Sequence, residues 1–248
     1  MYNPFSLKGK TILVTGASSG IGMATAIECS KMGAKLVITG RNKDRLGYTF
    51  ERLTGKSHQM ILADLSNDDD ISRIVEESPV LDGLVNNAGL TITATTQFIS
   101  REKLTSVLDV NTIAPILLFQ RLLKKKKIQR GCSVVFTSSI SGMYCAVLGN
   151  VIYSTSKAAI SGFVRNSALE LAAKGIRVNA VCPGMIETHI LDNGKIGSEE
   201  LEIDKQRYPM KRYGSPEEVA YGIIYLLSNA SSFTTGASIV IDGGFTLQ

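Results

Sequence analysis

Apolar residues along this chain fall into two alternating kinds of stretch. Short β-branched runs that close on glycine or a polar residue predict strands, and longer stretches with apolar positions every three to four residues predict helices. "KTILVTG" (10–16) is the first such run, and "IGMATAIECSKMGA" follows with helical spacing and stops at Gly33. "KLVITGR" predicts a second strand, "KDRLGYTFERLTG" a helix and "HQMILADLS" a third strand. "NDDDISRIVEES" opens with acids suited to a helix N-terminus. "LDGLVNNAG" is a fourth strand, a long helix covers about 101–127, and "CSVVFTSS" is a fifth strand. A helix over 152–174, a strand in "IRVNAVCPG", a helix in "SPEEVAYGIIYLLS" and a strand in "GASIVIDGG" complete the chain. Ser215 caps that last helix, with Pro216 at its first position and acids behind.

Strands alternating with helices from end to end, with the strands nearly continuous in apolar residues, imply an α/β fold: a parallel sheet with helices on both faces. No linker, repeat or low-complexity tract interrupts the pattern, so 1–248 reads as a single dinucleotide-binding catalytic domain. The polar stretch 187–208 between strand six and the last helix is a candidate lid over a substrate.

Composition narrows the functional classes. With 44 % hydrophobic and 20 % charged residues, the chain is an ordinary globular protein. The net charge of +5 is scattered except for "KKKK" at 124–127, where lysines suit the carbonyl end of a helix. No basic stripe accompanies a nucleic-acid-binding module, so the expectation is no nucleic acid and an anionic small ligand instead. Cys29, Cys132, Cys145 and Cys182 form no CxxC pair and lie near no histidine at zinc spacing. They read as buried thiols in a reduced compartment, with no metal site. The N-terminus lacks an apolar targeting core and no run reaches a membrane span, so no membrane and a cytoplasmic location are expected.

"TGASSGIG" places Gly16, Gly20 and Gly22 between the first strand and first helix. Glycine there lets the backbone turn and approach a pyrophosphate, which the helix N-terminus favours. At the end of strand two, where an acid would select NAD by holding both ribose hydroxyls, stands "TGRN". Arg41 can pair bidentately with a 2′-phosphate, which favours NADP(H) over NAD(H).

With "NNAG" (86–89), Asn111 in "LDVNT", "SSISG" (138–142), "YSTSK" (153–157) and "PGMIET" (183–188), the chain resembles the short-chain dehydrogenase/reductase family along nearly its whole length. The resemblance implies a seven-stranded Rossmann sheet, a nicotinamide cofactor, a homotetramer and a catalytic set of Asn111, Ser139, Tyr153 and Lys157. It also implies cofactor contacts from Gly16, Ser18, Ser19, Gly20, Ile21, Gly22, Arg41, Asp64, Leu65, Asn87, Tyr153, Lys157 and Ile186.

The chemistry suits these residue types. Hydride reduction of a carbonyl leaves an alkoxide that needs a proton, and the chain has only two histidines, His58 and His189. Tyrosine ionises near 10, so it needs a neighbour that favours phenolate. Tyr153 and Lys157 stand at i and i+4 on one helix face, where an ammonium is expected to lower the phenol's pKa. Ser139 at the end of strand five can donate to the developing oxyanion, and is preferred to its neighbour Ser138. Pro115 lacks the N–H that would bond the Asn111 carbonyl. That carbonyl needs another partner, and a water there would open a proton path from Lys157; a local helix distortion is expected. His58 reads as solvated, and His189 as a residue at the lid's start.

Within the family, "PGMIET" and "YPMKRYGSPEEVA" look most like β-ketoacyl carrier-protein reductases, making the expected substrate a ketone, including a carrier-protein-bound 3-oxoacyl thioester. Val151 and Ile152 depart from the small polar residues usual before that tyrosine, which keeps a sugar, polyol or other secondary-alcohol dehydrogenase as the rival. A nucleotide-sugar epimerase would need different glycine spacing and a further domain, and a silent nucleotide sensor would have a broken catalytic set.

Overall fold

A computed structural model describes residues 2–188 and 198–248. Seven strands, β1 (Thr11–Thr15), β2 (Lys35–Gly40), β3 (Gln59–Leu62), β4 (Leu81–Asn86), β5 (Ile128–Thr137), β6 (Arg177–Pro183) and β7 (Ser238–Ile241), form one sheet in the order 3-2-1-4-5-6-7. Every pairing is parallel. The helices are α1 (Gly20–Lys31), α2 (Lys43–Phe50), α3 (Asp68–Glu77), α4 (Arg101–Leu108), α5 (Ala114–Lys124), α6 (Val151–Ala172), α7 (Ser198–Lys205) and α8 (Pro216–Leu227).

Because strand side chains alternate between faces, each apolar run supplies two cores. Ile12, Val14, Leu36, Ile38, Val85 and Val181 pack beneath α1, α2 and α8. Leu13, Val37, Leu84, Val134, Phe136 and Val178 face α3, α5 and α6. Phe136 of β5 lies edge-on to Phe119 of α5 at 6.2 Å and to Phe163 of α6 at 5.6 Å. Such pairs contribute about 0.5–1.5 kcal/mol beyond burial, and here they hold the two site-bearing helices to the strand that ends beside Ser139.

The strand order reverses between β1 and β4, the switch point at whose carboxyl strand ends open α/β sheets bind their ligands. α8 begins as the sequence implies: Ser215 and Glu218 form a reciprocal capping box, with Pro216 at the first position.

Three local features differ from sequence expectation. The long helix over 101–127 is two helices, α4 and α5, joined by a π-helical turn at Asp109–Ile113, where the Ala114 N–H donates to the Asp109 carbonyl. Pro115 follows directly, so the expected distortion lies where the missing N–H puts it. Arg101–Lys124 is long and apolar enough to span a membrane by composition, but its apolar residues Val107, Leu118, Phe119 and Leu122 are core. The lysine run leaves the helix at Lys124. Lys126 turns left-handed (φ 57°), Lys125 pairs with Glu76 at 2.8 Å, and Lys127 donates to the Ser78 carbonyl at 2.5 Å. Finally, His58 is only partly exposed and makes two backbone contacts. Its Nδ1 accepts the Leu36 N–H at 3.1 Å and its Nε2 lies 3.1 Å from the Thr54 carbonyl. The ring extends the ladder of β2 one step before β3 begins.

Candidate active site

The glycine loop is shaped by close backbone approach. A Cβ on Gly22 would sit 2.2 Å from the Gly16 carbonyl oxygen, and one on Gly16 would sit 2.7 Å from the Ala88 Cα. Gly16 and Gly20 hold positive φ of 65° and 52°, which glycine adopts without penalty. Ser19 precedes α1 with no side-chain cap on its first amides, which suits those amides to an anion. Asn87 Nδ2 donates to the Thr15 and Gly16 carbonyls at 3.2 and 3.4 Å. The side chains of Ile21 and Leu65 pack into the cores, leaving their backbones at the crevice.

The adenosine side forms at the ends of β2 and β3. Ser18 lies against Gly40, where a Cβ would come within 3.2 Å of its hydroxyl. The exposed Arg41 follows, and its charge is felt by Asp64. The Ser66 backbone N–H and hydroxyl bonds, with Arg41 behind them, hold the Asp64 carboxyl below the usual carboxylate range. Asp64 is therefore an anion at neutral pH, within the field of the Arg41 guanidinium.

Asn111, Ser139, Tyr153 and Lys157 come together from the π turn, the end of β5 and the first turns of α6. The Asn111 amide is saturated by structure: Oδ1 accepts from Leu90 N at 2.8 Å, and Nδ2 donates to Leu90 O at 2.9 Å and Ser156 Oγ at 3.0 Å. The side chain is thus a clamp between the "NNAG" turn and α6. Gly89 lies so close that a Cβ there would sit 3.2 Å from Asn111 Oδ1 and 3.6 Å from Lys157 Nζ. The two serines divide cleanly. Ser138 Oγ donates to the Lys157 carbonyl at 3.1 Å, whereas the Ser139 hydroxyl accepts from Ser141 N at 3.1 Å and acts to lower the Tyr153 phenol's pKa. Lys157 Nζ donates to the Thr137 carbonyl at 2.7 Å and lies 5.6 Å from the Tyr153 ring centroid.

Burial dominates the electrostatics. It lowers the Lys157 ammonium to about 8, only slightly offset by Cys182. It also pushes the Tyr153 phenol up, with the Ser139 hydrogen bond pulling it partly back. The expected lowering of the phenol by the lysine is therefore not present in this geometry. Desolvation sets the direction at the phenol, while the ammonium bonds the Thr137 carbonyl and stands 5.6 Å from the ring centroid.

Two contributors escaped sequence reasoning. Buried Thr15 donates through Oγ1 to the Val85 carbonyl and accepts from the Asn87 and Ala88 amides at 3.0 and 3.1 Å. It stitches the glycine loop to the "NNAG" turn, and its place directly before Gly16 was the available signal. Tyr208 accepts from Met185 N at 3.2 Å, a contact between residues far apart in sequence. Ile152 is also reassigned: it is 1 % exposed in a small core with Ala94 and Val107, so this departure before Tyr153 packs inward. Ile186 is buried at the end of β6. His189 and the rest of 189–197 lie outside the described residues, while α7 and the segment after it are described.

A doubly wound sheet with a glycine-lined loop at its switch point and a Ser–Tyr–Lys cluster beside it defines a nicotinamide-dependent oxidoreductase of the Rossmann type. The chain belongs to the short-chain dehydrogenase/reductase family. A family profile described as enoyl-(acyl carrier protein) reductase matches residues 16–246. The chain is 37 % identical to the 3-oxoacyl-[acyl-carrier-protein] reductase FabG of Thermotoga maritima, over 97 % of this chain and 99 % of that protein. It is also 37 % identical to a glucose 1-dehydrogenase of Gluconobacter oxydans, over 96 % and 92 %. Among solved structures, a candidate 2-deoxy-D-gluconate 3-dehydrogenase from Agrobacterium tumefaciens with bound NADP matches with a TM-score of 0.88 and 30 % identity, covering 100 % of both chains.

Proposed function

We propose that this oxidoreductase uses NADP(H) to reduce a ketone to a secondary alcohol, with Tyr153 as general acid and, in the reverse direction, general base. The observation that carries the reading is the convergence of Ser139 after β5 with Tyr153 and the buried Lys157 in the first turns of α6, Lys157 Nζ lying 5.6 Å from the Tyr153 ring centroid. The residues around the crevice fit the cofactor: glycines where a Cβ would clash, uncapped amides at the start of α1, and Arg41 at the ribose end of β2.

The bound cofactor supplies the hydride. The chain's residues supply the rest. Ser139 donates a hydrogen bond to the carbonyl oxygen, stabilising the charge that develops there. Tyr153, a phenol protonated at neutral pH whose pKa burial raises further, is poised to give its proton to the resulting alkoxide. Lys157 places positive charge beneath the phenol and stabilises the phenolate left behind. The Asn111 clamp keeps α6 in register with the "NNAG" turn, and the π turn beside it provides the opening for water to return a proton.

The substrate is a 3-oxoacyl thioester in the first reading, which the FabG relatives support. A sugar or polyol is the second, supported by the glucose and gluconate dehydrogenase relatives. The active form is a homotetramer, supported by exposed Ile113 and Leu169 on the helices flanking the site. It works in the reducing cytoplasm, where the four thiols stay free. The test follows NADPH consumption with acetoacetyl thioesters against a panel of ketones and sugars. Turnover with the thioester above all others supports the first reading, and turnover with an oxidised sugar the second. Tight NADPH binding with no turnover would replace both with a nucleotide sensor.

A further inference from the structure

The segment after β6 crosses the mouth of the crevice. It leaves Pro183 and, at Thr188, reaches the glycine loop, where a Cβ on Gly20 would lie 3.1 Å from Thr188 Cγ2. With Thr188 against the glycine loop, Met185–Thr188 borders the place where a dinucleotide would bind.

Three contacts hold that path. Gly214 N donates to Met185 O at 3.1 Å, and Glu187 N donates to Gly214 O at 2.9 Å. The third is a side chain: Met185 N donates to the Tyr208 hydroxyl at 3.2 Å. Tyr208 is 5 % exposed and built in from two sides. Its ring stands edge-on to Tyr213 with centroids 5.5 Å apart and lies 4.8 Å from Phe245 in the C-terminal turn. Tyr213 in turn donates to Asp204 at 2.9 Å in α7. Tyr208 is thus where the backbone over the crevice, the C-terminal segment and the base of α7 meet.

We propose that Tyr208 is a positioning residue for the dinucleotide: its hydroxyl fixes the Met185 amide and so the strip Met185–Thr188 that closes over the cofactor. This rests on the crevice being a nicotinamide-cofactor site, as proposed above. Tyr208 touches no reacting atom. Its hydroxyl acts through one backbone amide, and its ring supplies the rigid mount.

The experiment compares Tyr208→Phe with Tyr213→Phe in the full chain. Both remove one hydroxyl from the same aromatic cluster, but only Tyr208→Phe frees the Met185 amide. NADPH affinity is measured by cofactor fluorescence without substrate, and melting temperature is measured in parallel. The expected result is a Kd for NADPH raised about tenfold by Tyr208→Phe, equivalent to about 1.4 kcal/mol. Tyr213→Phe should leave that Kd within about twofold, although its melting temperature falls by a similar amount. An unchanged Kd in Tyr208→Phe, or equal weakening in both variants, overturns the assignment and makes Tyr208 a packing residue. Failure of the wild type to bind NADPH would instead refute the cofactor reading itself.

Discussion

Replacing Lys157 with Met removes a buried charge while keeping a flexible chain of similar length, and it should uncouple stability from activity. The drop from the usual 10.5 to about 8 reflects desolvation of a fully buried ammonium. At 1.36 kcal/mol per tenfold change in proton affinity, the penalty on the charged form is roughly 3 kcal/mol. Below pH 8 the lysine is protonated in both folded and unfolded chains, and the folded state carries the whole penalty. Between pH 8 and 10.5 the folded lysine is neutral while the unfolded one keeps its proton. The unfolded chain then binds more protons, so stability rises with pH across that window. Above 10.5 the penalty is gone. Lys157→Met has no such dependence, and loss of the Thr137 contact shifts its stability by about 1 kcal/mol at every pH. Urea unfolding of both proteins from pH 7.5 to 10 should show the wild type gaining on the variant, by about 2 kcal/mol at the alkaline end. A difference that stays flat, or moves the other way, refutes the claim that the ammonium is held against desolvation. Turnover by Lys157→Met should be lost at every pH.

Further outcomes separate the neighbouring residues. Ser139→Ala should lower kcat about 10²- to 10³-fold with little effect on stability, since its hydroxyl faces Tyr153. Ser138→Ala should instead lower stability by about 1 kcal/mol through the lost bond to the Lys157 carbonyl; comparable kcat losses in both would contradict the division. Arg41→Ala should raise the KM for NADPH about tenfold or more and leave that for NADH nearly unchanged; equal losses with both cofactors would remove the 2′-phosphate role. His58→Ala should lower unfolding free energy by about 1–3 kcal/mol, because it orphans the buried Leu36 amide, and leave KM for NADPH unaltered.

The alternation of β-branched runs with helical spacing made the sheet legible, because strands buried on both faces are apolar throughout and helices buried on one face are not. Order across the sheet was not local information; the family resemblance implied seven strands, and the order 3-2-1-4-5-6-7 emerges only from the pairing of distant strands. The site was legible where one residue type is demanded by backbone geometry, as at Gly16 and Gly22, or where two side chains share a helix turn, as at Tyr153 and Lys157. What escaped depends on tertiary contact. His58 looked solvated because its partners, Leu36 and Thr54, are backbone groups. Ile152 looked like a substrate-side departure because burial against Ala94 and Val107 leaves no mark in spacing. The direction of the Tyr153 shift depended on burial by surrounding elements, which helix spacing does not record. Pro115 was the exception. A missing N–H has a consequence at a fixed distance along a helix, and the π turn stands there.

The account stands most directly on Tyr153 as the proton donor. Tyr153→Phe keeps the ring and removes the one hydroxyl in question, so NADPH binding should hold within about twofold while kcat with the best ketone of the panel falls about 10³-fold or more. A variant that keeps kcat within tenfold of wild type, with binding intact, would contradict it.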